Sequence, residues 1–192
     1  MALCSLALAA TGASHTGGLA SAQEARDYRP IDDWRFVRGG IKYAHDVAVA
    51  NGTSIWVAGH PGVMHFDGSD WSRVYDSSVT AISMADSQFG WAATPGTGML
   101  EIRGDDWRPI RSGLTRYVHD LDLLSRHVGW DLAGSSDGAR IATAMLGLED
   151  GSWVDSGARL PGEFVSVDMV NESFAVAVVD EGIAHWDGED WQ

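Results

Sequence analysis

A motif that returns about every 40 residues constrains this chain more than any other feature. Each copy runs from a glycine through a short apolar stretch into an acidic turn that ends in tryptophan. The copies are Gly62 to Trp71, Gly98 to Trp107, Gly138 to Trp153 and Gly182 to Trp191. Repetition at a fixed period means stacked supersecondary units, each burying its apolar face against a neighbour.

Aligned on a central aromatic, the repeats place Trp56, Trp91, Trp130 and Phe174 in one column, with His45, Thr80, His119 and Glu163 each 11 residues upstream. Between the two columns, polarity alternates over Asp46 to Val49, Ala81 to Met84, Asp120 to Leu123 and Val165 to Asp168. A period of two over that length marks a half-buried strand. A small polar turn follows each one, then a second strand around the aromatic, a third after the glycine, and a fourth starting at the acidic turn's tryptophan. Four short antiparallel strands per repeat predict an all-β fold, a β-propeller of four-stranded blades spanning about 43–77, 78–112, 117–157 and 163–192. Asp67-Gly68 and Asp187-Gly188 are hairpin-turn signals. Eight of the nine tryptophans occupy two equivalent repeat positions, as expected of side chains that fill the space between blades. Trp186 stands outside both columns and is the candidate for an exposed aromatic contact.

Segment 31–38 reads as one more fourth strand, and the last blade reaches only the start of its own at Trp191. Either segment 31–38 closes the last blade and seals a four-bladed ring, or the chain is part of a larger propeller with segment 31–38 an orphan strand. The second is favoured, because closure would duplicate the Asp-Trp turn already present at Asp190 and Trp191. Open blade edges would then invite self-association. Upstream, residues 1–22 read as a signal peptide cleaved after Ala22, and 23–30 as a linker, which places the domain in the secreted, periplasmic or cell-surface class. Cys4, the single cysteine, falls in that leader, so the mature domain has no disulfide and no thiolate metal site.

With 27 acidic and 13 basic residues, the formal charge is −14, which disfavours nucleic acid and anionic lipid as partners. No apolar run is long enough to insert into a membrane. The acidic turns supply too few oxygens for calcium, and no metal or cofactor is expected.

The unit from Trp56 to Gly59, through Gly62, to the turn His65 to Trp71 resembles repeats of secreted bacterial propellers. These are grouped with sialidase-like (BNR), galactose-oxidase-like and photosystem II assembly factor-like repeats. The resemblance covers about 31–192 and implies the fold, not an activity. The sialidase Asp-box runs Asp-x-Gly-x-x-Trp, whereas the turn here is Asp-Gly-x-Asp-Trp, so no catalytic residue is carried over.

In propellers the innermost strand of each blade lines the central channel. That puts His45, Asp46, Thr80, His119, Asp120 and Glu163 at one channel mouth as the candidate binding residues. No catalytic constellation stands out. The expected function is a secreted, non-catalytic module that binds or scaffolds a protein or an extracellular glycan. The alternative is a carbohydrate-active enzyme, a hydrolase or lyase with Asp46, Asp120 and Glu163 at the mouth.

Overall fold

The computed structural model describes residues 40–96, 98–110, 117–136, 141–149, 151–162, 164–179 and 182–192. The signal-peptide, linker and orphan-strand segments (1–22, 23–30 and 31–38) and Glu163 lie outside these residues.

The fold is an all-β propeller of four antiparallel blades set around a central channel. Blade 1 contains β1 (Tyr43–Asn51), β2 (Ser54–His60), β3 (Gly62–Phe66) and β4 (Trp71–Tyr75). Blade 2 contains β5 (Ala81–Met84), β6 (Phe89–Thr94), β7 (Gly98–Arg103) and β8 (Asp106–Ile110). Blade 3 contains β9 (Val118–Leu123), β10 (Gly129–Ser136), β11 (Ile141–Glu149) and β12 (Ser152–Pro161). Blade 4 contains β13 (Phe164–Asn171), β14 (Phe174–Val179) and β15 (Gly182–Trp186). Its fourth strand starts at Trp191, which bridges Trp186, while Gln192 exchanges both backbone hydrogen bonds with His185 at 2.8 Å. β11 has nine residues against five or six in the other third strands and pairs with the ten-residue β12, so the longer spacing of the third repeat extends a strand pair.

The core lies between blades. Along each strand, side chains alternate between the preceding and the following blade. In β2, Trp56 and Ala58 face blade 2 and are 4% and 0% exposed. In β6, Ala92 faces blade 1 while Trp91 and Ala93 face blade 3. The fourth-strand tryptophans face backwards. Trp153 meets Trp91 edge-on at 5.7 Å, and Trp191 meets Trp130 at 5.3 Å. The two tryptophan columns therefore interlock across the interfaces, as their periodicity implied.

Backbone chemistry explains the glycine that opens β3. Gly62 has φ +136, and a Cβ there would sit 2.0 Å from the Tyr75 carbonyl oxygen. Its neighbouring strand passes where a side chain would be.

One column shifts. β1 and β13 carry bulges at the same places, between Ala44 and Asp46 and between Phe164 and Ser166. The turns pair Asn51 with Ser54 and Asn171 with Phe174. The counterpart of Trp56 in blade 4 is therefore Val176, opposite Asp168 and His185. Phe174 sits two residues early and is 40% exposed. The same register assigns Val165, not Glu163, to the position of His45.

Candidate functional site

The innermost strands β1, β5, β9 and β13 line a cavity of about 410 Å³. Its wall contains the carboxylates Asp46, Asp120, Asp122 and Asp168 and no basic side chain. Two of the predicted site residues, Asp46 and Asp120, are in this wall. His45 and His119 are not. Both are exposed bulge residues, and the His119 ring lies against Gly134, where an added Cβ would come 2.7 Å from Nε2. Thr80 is half-buried, with its N–H and hydroxyl both given to the Ala93 carbonyl at 2.8 and 3.2 Å. The structure thus brings the aspartates together and leaves the histidines outside the cavity. Among the described residues no group of three His, Cys, Asp or Glu side chains could hold a metal ion.

The channel aspartates are fastened to the neighbouring blade. Asp46 accepts the Ile82 N–H on Oδ2 at 2.7 Å and its own neighbour's Val47 N–H on Oδ1 at 2.7 Å. Asp120 accepts the Val167 N–H and the Ser166 hydroxyl on Oδ2, both at 2.8 Å, and the Leu121 N–H on Oδ1 at 3.0 Å. Asp122 accepts the Met169 N–H at 2.8 Å and the Ser83 hydroxyl at 3.2 Å, while the Leu123 N–H donates to Ser83 Oγ at 3.1 Å. An innermost strand is a sheet edge whose outward N–H groups lack a ladder partner. Where the side chain is polar, the preceding blade satisfies them. Asp46 and Asp120, in one register, bond the next blade's N–H at Val47's register, and Ser83 and Asp122, in Ala48's register, bond the next blade's N–H at Val49's; the alanines Ala81 and Ala48 leave two positions without this fastening.

Burial pushes the Asp46 carboxyl above its ordinary range, against the backbone hydrogen bonds that favour its charge. Burial also raises Asp120, to about 6, with the nearby charge of Asp46 adding to the effect. The turn aspartates behave oppositely. Asp67 accepts the Asp70 and Ser69 N–H groups at 2.9 Å, and these bonds hold its carboxyl below the usual value. Asp187 repeats this with Asp190 and Glu189. Hairpin chemistry accounts for both.

Sequence reasoning missed two features. Trp186 is a packing residue, 4.9 Å from Trp130, with its indole N–H on the Glu172 carbonyl at 3.0 Å. Asp131, by contrast, is fully buried with no partner for either carboxylate oxygen among the described residues, and burial drives its carboxyl well above the ordinary range. Its sequence signal was an acid directly after a column tryptophan, where Val57 and Ala92 stand in blades 1 and 2.

No family model matches this chain, and no curated protein matches it either. Solved structures do. YCF48 from Cyanidioschyzon merolae is similar with a TM-score of 0.55 at 18% identity, covering 83% of this chain and 58% of that one. The extracellular domain of the putative one component system BT4673 from B. thetaiotaomicron gives 0.55 at 13% identity, covering 82% of this chain and 23% of that one. YCF48 bound to D1 peptide gives 0.44 at 14% identity over 86% and 70% of the two chains. The shared property is the β-propeller fold. Among the described residues no helix is long and apolar enough to cross a membrane.

Proposed function

We propose that this chain is an exported, non-catalytic propeller that binds a protein partner through its central channel, and that the segment bound is cationic. One observation carries the proposal: four carboxylates and no cation line the cavity, in a chain whose formal charge is −14. A concave surface with low-dielectric walls and one sign of charge concentrates ligands of the other sign. The engagement of both oxygens of Asp46 and of Asp120 by backbone N–H groups supports binding over catalysis. A glycosidase acid needs an oxygen free to reach the leaving group.

Asp46→Asn tests this, because an asparagine oxygen still accepts the Ile82 N–H while the charge is lost. Anisotropy titrations with a labelled Lys/Arg-rich peptide should show binding that weakens as salt rises. Affinity should fall several-fold in Asp46→Asn and again in Asp46→Asn/Asp120→Asn, with the melting temperature retained. Equal affinity of parent and double variant, or no binding at low salt, overturns the proposal.

A further inference from the structure

The three interfaces between blades are built from one pair of complementary faces, and the structure leaves one unused copy of each. On the receiving side, the residues in the registers of Val47 and Val49 are buried wherever a preceding blade exists. Ile82, Met84, Leu121, Leu123, Val167 and Met169 are all at most 9% exposed. In blade 1, Val47 and Val49 are 57% and 62% exposed. On the donating side, Ala58 and Val63 are covered by blade 2 at 0% exposure, and Leu132 and Met145 by blade 4 at 0%. Their blade 4 counterparts, Val178 and Ile183, are 39% and 74% exposed.

The polar fastening is also present in half. Asp168 occupies the register of Ser83 and Asp122, each of which bonds the N–H of the following blade at Val49's register. Among the described residues the Asp168 carboxylate has no partner. The face of blade 1 supplies the matching group, the edge N–H of Val49.

We propose that the outward face of blade 4 docks on the open face of blade 1 of a second copy of this chain, Asp168 accepting the partner copy's Val49 N–H. The contact is head-to-tail, and two copies related by a twofold axis use up both faces of each. The result has eight blades, within the four to eight that propellers usually adopt. Continuity with the internal interfaces selects this occupant, because only another blade of this type presents both the apolar surface and the edge N–H at the required register. Uncovered apolar faces mark interaction surfaces.

Three measurements on the full chain test the proposal. Sedimentation equilibrium should give twice the mass of the chain. Ile183→Asp should give a monomer that still melts cooperatively, because Ile183 is 74% exposed. In a Cys4→Ser background, Val49→Cys and Asp168→Cys proteins are then mixed under mild oxidation. A covalent heterodimer, absent from either protein alone, is expected, since the fastening side chains of neighbouring blades reach the partner backbone at 3.1 and 2.8 Å. A monomeric parent overturns the proposal. So does an internal cross-link in the Val49→Cys/Asp168→Cys double variant, which would mean that the chain closes on itself. Failure of the mixed proteins to cross-link also overturns it.

Discussion

Asp131→Val should stabilise the protein, and more at neutral than at acid pH. The carboxyl lies on the face of β10 that packs against blade 2, with no partner for either oxygen among the described residues. The same register holds Val57 in blade 1 and Ala92 in blade 2. A buried polar group without a hydrogen bond costs about 1–3 kcal/mol. Ionisation adds to this. Burial raises the folded pKa above the ordinary carboxyl value of 3.8, so the folded state holds the proton more tightly than the unfolded state does. Stability is therefore greatest below 3.8 and declines as pH rises, until the buried group itself ionises. A carboxyl kept protonated in the fold forfeits about 1.4 kcal/mol per pH unit over that range. With about 2–4 °C per kcal/mol for a domain of this size, Asp131→Val should melt a few degrees above the parent at pH 4, from the unpaired group alone, and by a larger margin at pH 7. Asp131→Asn keeps the unpaired polar group but cannot ionise, so it should recover only the pH-dependent part. Asp120, raised to about 6, gives the parent a slope of the same sign, and its charge adds to the rise at Asp131. Circular-dichroism melts at the two pH values decide. A gain for Asp131→Val that does not change with pH, or no gain, would refute the reasoning.

Ser83→Ala removes the donor to Asp122 and one of the two acceptors of the Leu123 N–H, the other being Asp122 Oδ1, and should cost about 1 kcal/mol in urea denaturation. Gly62→Ala drives a Cβ into the Tyr75 carbonyl at φ +136 and should cost about 3 kcal/mol or more. Gly52→Ala, whose Cβ would meet nothing within 4 Å, should stay within about 0.5 kcal/mol of the parent and serves as its control.

The blades were legible because their signals are local and repeated: Asp-Gly turns, glycines before the third strand, and tryptophans at fixed spacing. Blade 4 shows where residue type misleads. An aromatic stands at Phe174, two residues before the register of Trp56, while the true counterpart is Val176. Aligning on aromatics moved the whole column, and with it the choice of Glu163. Only the paired bulges in β1 and β13 restore the register, and a bulge leaves no mark in composition. Asp131 could be seen as an oddity after Trp130, but its lack of a partner depends on side chains from blade 2, distant in sequence.

The channel aspartates were found for a reason only half right. Position in the repeat placed Asp46 and Asp120 at the channel, yet their bonding partners are N–H groups 36 and 47 residues away, in the next blade. Each innermost strand exposes an edge that would otherwise recruit a foreign strand. A short acid placed there satisfies the next blade's N–H and fills the edge with charge. The acidity of the channel and the docking of the blades thus come from the same side chains. Any cation in the channel must approach these carboxylates while both oxygens remain engaged, through lone pairs the backbone leaves open. Binding by charge and fastening by hydrogen bond are therefore separable: asparagine keeps the fastening and abolishes the charge, whereas alanine removes both. If alanine and asparagine at Asp46 weakened peptide binding equally while only alanine lowered the melting temperature, the two roles would be resolved on a single residue.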